Sequence, residues 1–237
     1  MIDLYGMGSP NVVKIYLALE EMGLAYKAVP VDVFAGAQFD AEFTKLNPSA
    51  KVPVIVDQDG PGGGPYTVFE SGAILIYLAE KSGRFLPKDG RARHDVLQWM
   101  MVQMTAVGPM FGQYVHFMRF APKGNEYSLD RYRTQVRRTL DILEGRLATA
   151  PYLGGAAYSI ADIATFPWAR NVGPLLGKAV EAEYPKLMAW VAGIAARPAV
   201  VKALAAVEDV RARTTAFDKA APETLDKVFG RGAFARA

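Results

Sequence analysis

Alternation at period two opens the chain: Ile2-Asp3-Leu4-Tyr5 predicts a short strand. After Gly6-Met7-Gly8, Ser9 is a favoured helix N-cap, and Pro10 stands at the first helical position, where its missing N–H costs nothing. Val12, Ile15, Tyr16, Leu19 and Met22 then recur on one helical face, and Gly23 supplies a stop. Residues 26–32 predict a second strand, followed by a loop through Phe34-Ala35-Gly36-Ala37 and a short helix over 39–46 closed by Asn47-Pro48. Lys51-Val52-Pro53-Val54-Ile55-Val56 predicts a strand with proline near its start, where a sheet tolerates it. A Gly/Pro-rich turn over 57–65 leads to Tyr66-Thr67-Val68-Phe69, as in a hairpin. Glu70-Ser71 then opens a helix carrying Ile74, Leu75, Tyr77 and Leu78. The order is βαβ-α-ββ-α, a small α/β domain.

Beyond it the period changes. Gly83 to Gly90, with Pro87 and Asp89-Gly90, reads as a linker. From Arg91 to about Val207 the pattern contains no strand pair. Leu97, Met100, Met101 and Met104 recur at helical spacing, and 129–147 repeats apolar positions among Arg and Glu as a bundle helix does. Tyr158-Ser159-Ile160-Ala161-Asp162-Ile163 combines a capping-box-like Ser/Asp pair with a Tyr158/Ile163 staple. Alanine-rich helices follow over 186–196 and 199–207. The expected organisation is an α/β domain over 1–83, an all-α helical bundle over 91–207, and a C-terminal tail over 208–237 that has few large apolar side chains.

Composition narrows the function. A chain of 237 residues, 51% hydrophobic and 22% charged, is globular and long enough to bury a core without staples. It contains no cysteine, which excludes a disulfide framework, a protein thiolate nucleophile and a CxxC redox pair. With only His94 and His116, no metal centre is expected either. The formal net charge is +3 with both signs interspersed and no basic run of five, so nucleic acid is not an expected partner. The longest nearly apolar stretch, Leu187 to Ala196, is too short to span a bilayer, and the N-terminus lacks a secretion signal's basic and apolar regions. A cytoplasmic protein without membrane association is expected.

Three sites could carry chemistry. At the strand-to-helix turn Gly8-Ser9-Pro10-Asn11, the unpaired N–H groups and dipole of a helix start lower the pKa of a nearby thiol. Here the turn offers a hydroxyl and an amide, which can donate to a thiolate brought by a ligand; the plain alternative is that Ser9 caps and Asn11 is surface. At Val52-Pro53, a cis bond would turn the Val52 backbone N–H and C=O toward an extended peptide, while base rates favour a trans proline starting a strand. At Glu70-Ser71, the Ser71 N–H and hydroxyl can hold a carboxylate and Glu70 can pair with an ammonium, or the two are an ordinary cap. Together these ask for a short anionic peptide with a thiol and an amino-acid-like end, a description that glutathione fits.

The motifs Asn47-Pro48-Ser49-Ala50-Lys51-Val52-Pro53, Glu70-Ser71-Gly72-Ala73-Ile74 and Tyr158-Ser159-Ile160-Ala161-Asp162, in this order, resemble those of the cytosolic glutathione transferases over residues 1–207. That resemblance implies a thioredoxin-like N-terminal domain and an all-α C-terminal domain. Ile2-Asp3-Leu4-Tyr5, Ser9-Pro10-Asn11, Gln38-Phe39, 108–113 and Arg131-Tyr132 look most like the bacterial nu class, whose members act as glutathione-dependent disulfide-bond reductases with some peroxidase activity. That class usually carries Thr-Pro-Asn at the turn; serine departs from it but keeps the hydroxyl. The resemblance implies Ser9 and Asn11 as catalytic residues beside the glutathione sulfur. Gln38, Val52, Pro53, Glu70 and Ser71 would hold the tripeptide. Arg131 would reach a glutathione, with the partner subunit's as one option, because such proteins are usually homodimers. Lys51 is a further binding candidate that a solvated lysine near the pocket explains equally well.

Other residues read as structural. Tyr5 lies within the strand pattern, where packing or the pocket edge accounts for it. The Met- and aromatic-rich segment 99–120 suits core or dimer contact, His116 suits a hydrogen-bonded structural role, and Asp162 suits a helix cap. The leading expectation is a glutathione-dependent thiol–disulfide oxidoreductase with glutathione as co-substrate. Its rivals are conjugation of glutathione to electrophiles and a non-enzymatic glutathione-binding protein.

Overall fold

The computed structural model describes residues 1–235 and groups the chain into two compact units, Met1–Leu78 with the chain from Ala199 onward, and Ala79–Pro198.

In the first unit, β1 (Ile2–Gly6), β2 (Tyr26–Pro30), β3 (Val54–Asp57) and β4 (Tyr66–Phe69) form one sheet in the order β2-β1-β3-β4. β1 pairs parallel with β2 and antiparallel with β3, and β3 pairs antiparallel with β4. This is the thioredoxin-like arrangement. The parallel pair needs a crossover, which α1 (Pro10–Met22) supplies. Its N-cap is Ser9 and its C-cap is Gly23 at φ +70°, as the sequence predicts. β1 approaches α1 closely: a Cβ at Gly6 would lie 2.5 Å from a Val12 methyl, so only glycine fits. β3 is buried at every position, as befits a central strand. Pro53 stands immediately before β3, one residue outside the paired register, where its missing N–H breaks no ladder bond. The short α2 (Ala41–Leu46) ends at Asn47, and α3 (Ser71–Ser82) follows β4.

The second unit is helical. α4 (Gly90–Val102) and α5 (Gly108–Val115) are each extended by a π-turn, at Gln103–Val107 and His116–Phe120. α6 (Glu126–Leu147) is followed by α7 (Ile160–Ala169), α8 (Val172–Leu176), α9 (Lys178–Glu181) and α10 (Pro185–Ala195). Every residue of α7 is buried. The Asp162 carboxylate accepts from Leu153 N, Ser159 N, Ser159 Oγ and Trp190 Nε1 at 2.9–3.0 Å, tying the helix start to the preceding loop and to α10. No single helix among the described residues is long and apolar enough to cross a membrane.

The structure corrects the boundary expected at Val207 and the tail expected over 208–237. α11 (Pro198–Ala212) groups with the N-terminal unit, where Lys202 pairs with Glu20 of α1 at 2.8 Å. Beyond it α12 (Pro222–Phe229) is a regular helix with proline at its start and Gly230 at φ +63° as its stop. Phe217 packs edge-on against both Phe34 and Phe229, with ring centroids 5.6 and 6.5 Å apart. Asp32 accepts from the Thr215 N–H and hydroxyl at 2.9 and 2.7 Å. Three well-placed aromatics and one half-buried acceptor suffice to anchor a segment that is poor in large apolar residues.

Candidate active site

The register of the sheet decides which residues meet. Gly6 lies opposite Pro30, Tyr5 opposite Val54, and Val54 opposite Phe69. The C-terminal ends of β1, β2 and β4 and the N-terminal end of β3 therefore share one end of the sheet. Every segment that leaves or enters there carries predicted site residues: Ser9 and Asn11 after β1, Gln38 after β2, Lys51 to Pro53 before β3, and Glu70-Ser71 after β4. Neighbouring strands are about 4.8 Å apart, so the strip from β2 to β4 is about 14 Å wide, the scale of an extended tripeptide.

Ser9 has the extended backbone of an N-cap, yet its hydroxyl makes no capping bond; its carbonyl instead accepts from Val12 N and Val13 N at 3.0 and 2.9 Å. Both Ser9 and Asn11 are half-buried. Behind the turn, Arg211 of α11 donates to the Gly8 carbonyl at 3.3 Å.

The Val52–Pro53 bond is cis, against the base rate. Val52 packs with Tyr5 and Leu46 against the buried Val31, Phe43 and Val54, which places Tyr5 in packing as the sequence predicts. The preceding loop is held by Asn47, 1% exposed, whose amide donates to the Lys51 carbonyl at 2.7 Å while its oxygen accepts from Ser49 N and Oγ. Lys51 itself is exposed.

Gln38 is 3% exposed, and its side-chain oxygen is buried without a hydrogen-bond partner. A buried orphan acceptor is uncommon and marks a place where a ligand or water completes the bonding. It sits in the second of two 3₁₀ turns, Val33–Ala35 and Ala37–Phe39, that replace the expected plain loop. The Lys227 ammonium of α12 lies 4.5 Å from the centre of the adjacent Phe39 ring.

Glu70 has φ +69°, the left-handed region that a residue with a Cβ enters at a cost. Its carbonyl accepts from Ile74 N at 2.9 Å, so the strained residue forms the entry to α3. Ser71, 7% exposed, accepts a hydrogen bond from Lys14 Nζ at 3.2 Å. Lys14 is 1% exposed, and burial lowers its ammonium from the usual 10.5 to about 7, against a smaller upward pull from Glu70.

Patterns of two domain families match the chain: glutathione S-transferase, N-terminal domain, over residues 1–80, and glutathione S-transferase, C-terminal domain, over residues 99–198. The chain belongs to the glutathione S-transferase family. The disulfide-bond oxidoreductase YfcG of Escherichia coli (strain K12) is 45% identical over 206 residues, covering 86% of this chain and 94% of that protein. A glutathione transferase family member from Pseudomonas fluorescens pf-5, solved with two glutathione bound, has a TM-score of 0.81 at 42% identity, covering 86% and 92% of the two chains. A glutathione transferase from Pseudomonas putida, solved with one glutathione disulfide per subunit, has a TM-score of 0.80 at 41% identity, covering 86% and 90%.

In this member of the family the N-terminal unit brings Ser9, Asn11, Gln38, Lys51, Val52, Pro53, Glu70 and Ser71 to one end of the sheet. Arg131 is not among them: it lies exposed on α6 of the second unit. Sequence reasoning missed Lys14. Its signal was the apolar run on both sides, Val12-Val13 and Ile15-Tyr16-Leu17, which leaves a helix no polar face for a lysine. The C-terminal segment was missed as well, although Pro222 and Gly230 are standard helix start and stop signals.

Proposed function

We propose that this protein is a glutathione-dependent disulfide-bond oxidoreductase whose redox sulfur is supplied entirely by glutathione. The observation that carries the reading is the convergence of the Ser9–Asn11 turn, Gln38, cis Val52–Pro53 and Glu70-Ser71 at one sheet end, in a chain without cysteine. The likeness to YfcG, a disulfide-bond oxidoreductase, and to two Pseudomonas proteins solved with glutathione or its disulfide supports it.

Glutathione lies extended across the strip. Val52 pairs with its backbone, Ser71 and the start of α3 take a carboxylate, Glu70 takes the ammonium, and Gln38 and Lys51 hold the remainder. The sulfur rests at the α1 N-terminus, where the Asn11 amide, the Ser9 hydroxyl and the helix dipole favour the thiolate. That thiolate attacks one sulfur of a small disulfide. The S–S bond breaks, its electron pair leaves on the other sulfur, which takes a proton from solvent, and a mixed disulfide remains. A second glutathione thiolate attacks the glutathione sulfur of the mixed disulfide, releases the second thiol and leaves glutathione disulfide. Two glutathiones are oxidised as one disulfide is reduced to two thiols. Arg131 contacts a glutathione in this scheme.

A homodimer belongs to the same reading. The exposed Tyr66 and Phe69 on edge strand β4, 46% and 39% accessible, support it. A cytoplasmic setting, where glutathione is kept reduced, also belongs to this reading. Initial rates with hydroxyethyl disulfide and with a chlorinated aromatic electrophile test the assignment. Disulfide reduction should dominate; faster conjugation would make the protein a conventional transferase, and neither activity with glutathione bound would make it a binding protein.

A further inference from the structure

The mechanism above makes no use of Lys14, although this lysine, the one cation of α1, is 1% exposed and touches a residue of the site. Its side chain rises from α1 one helical turn after Asn11 and ends 3.2 Å from Ser71 Oγ. An ammonium has only donors, so in this pair the Ser71 oxygen accepts. Ser71 also begins α3, a twelve-residue helix whose first N–H groups lack intrahelical partners. Glu70, adjacent in sequence and held at φ +69°, sets its negative field on the same ammonium.

We propose that Lys14 is a positioning and specificity residue: a buried cation behind Ser71 that orients its hydroxyl toward the ligand and makes the α3 entrance select a carboxylate over a neutral group. The inference rests on the glutathione reading and deepens it by assigning the selectivity for the ligand's amino-acid-like end.

The burial of Lys14 argues for this role. A lysine that is 1% exposed loses its hydration, and the lowered value of about 7 is the mark of that loss. Residues kept in place for packing do not carry such a cost, because methionine fills the same volume without it. A carboxylate arriving at Ser71 adds its negative charge to that of Glu70 near the same ammonium. The hydroxyl then relays the interaction: ammonium to Ser71 oxygen, Ser71 O–H to carboxylate. Lys14 does not touch the sulfur, so its loss should leave the reactivity of bound thiolate unaltered and appear in ligand binding.

The test uses S-methylglutathione, which has no thiol to titrate, and its analogue carrying a carboxamide in place of the γ-glutamyl α-carboxylate. Calorimetric Kd values for both are measured on the wild-type chain, Lys14→Met and Lys14→Gln, with a thermal melt of each protein. The wild type should prefer the carboxylate by about tenfold or more, the scale of one charge-assisted hydrogen bond. In Lys14→Met that preference should fall to within about threefold, through weaker binding of the carboxylate form alone, while the melting temperature stays level or rises. Lys14→Gln, which keeps a donor to Ser71 without the charge, should lose most of the preference as well. A preference retained in either folded variant overturns the proposal, as does a wild type that binds both probes equally. Failure of both variants to fold overturns it in favour of a structural lysine. A wild type that binds neither probe overturns the glutathione reading itself, a separate result from any of these.

Discussion

Tyr5 at the end of β1 lies directly opposite Val54 at the start of β3, and Val54 in turn lies opposite Phe69 at the end of β4. From this one register the Ser9–Asn11 turn, the Val52–Pro53 bond and the Glu70-Ser71 step become neighbours, although 61 positions of sequence separate Ser9 from Glu70. A slip of one residue would reverse the facing of Tyr5 and Val54 and separate the segments.

Asn11 should matter to chemistry more than to binding. Replacing Asn11 by Ala removes one donor to the sulfur but none to the rest of the tripeptide. The thiol pKa of bound glutathione, followed by ultraviolet thiolate absorbance, should rise by about one unit toward that of free glutathione, with Kd within about threefold. Ser9→Ala should shift it less, because the helix dipole and Asn11 remain. An unchanged titration in Asn11→Ala would remove that amide from the mechanism.

The buried lysine gives stability a defined pH dependence. Its folded value, about 7, lies below the unfolded 10.5, so between these the unfolded chain binds more protons and stability rises with pH. The cost of burying Lys14 is fully present below pH 7 and fades toward 10.5. Lys14→Met should therefore be more stable than wild type at about pH 6, with the gap narrowing by roughly 2–3 kcal/mol by about pH 9. Urea denaturation at the two pH values reads this directly; a constant gap would mean that Lys14 keeps its ordinary pKa.

The C-terminal segment should come loose when its anchor is removed. Asp32→Ala eliminates the acceptor of the Thr215 N–H and hydroxyl and of the Ala35 N–H. A cost of about 1–3 kcal/mol is expected, with new proteolytic cleavage between residues 213 and 222 detected by mass spectrometry. Cleavage there at the wild-type rate would show that Phe217 and Phe229 hold the segment unaided.

In the helical unit, Asp162→Ala should be among the most damaging single changes. It strands the donors of Leu153, Ser159 and Trp190 inside a region with almost no solvent access. A loss of roughly 3–5 kcal/mol or failure to accumulate as folded protein is expected, measured by chemical denaturation. Asp162→Asn, which keeps one of the two acceptor oxygens, should be milder.

Much of this arrangement was legible in the sequence because it depends on local rules. Ser9-Pro10 and Gly23 mark both ends of α1, the alternation at Ile2–Tyr5 marks β1, and the turn over 57–65 marks the β3–β4 hairpin. Ser159 and Asp162 declare their cap by spacing alone. What stayed hidden depends on tertiary partners. Lys14 is polar by identity and buried by context, and its contact with Ser71, 57 residues away, is not visible in the local pattern. The docking of residues 213–229 turns on Phe34 and Asp32, which nothing in the local pattern connects to Phe217 or Thr215. The cis state of Pro53 runs against base rates that a single sequence cannot override.

Glutathione-dependent reduction of hydroxyethyl disulfide, coupled to NADPH oxidation through glutathione reductase, tests the central claim most directly when wild type and Asn11→Ala are compared. Robust wild-type turnover that falls at least about tenfold in the variant, with glutathione affinity preserved, is the predicted result. Wild-type protein that binds glutathione but fails to reduce the disulfide, or a variant that turns over at the wild-type rate, would contradict it.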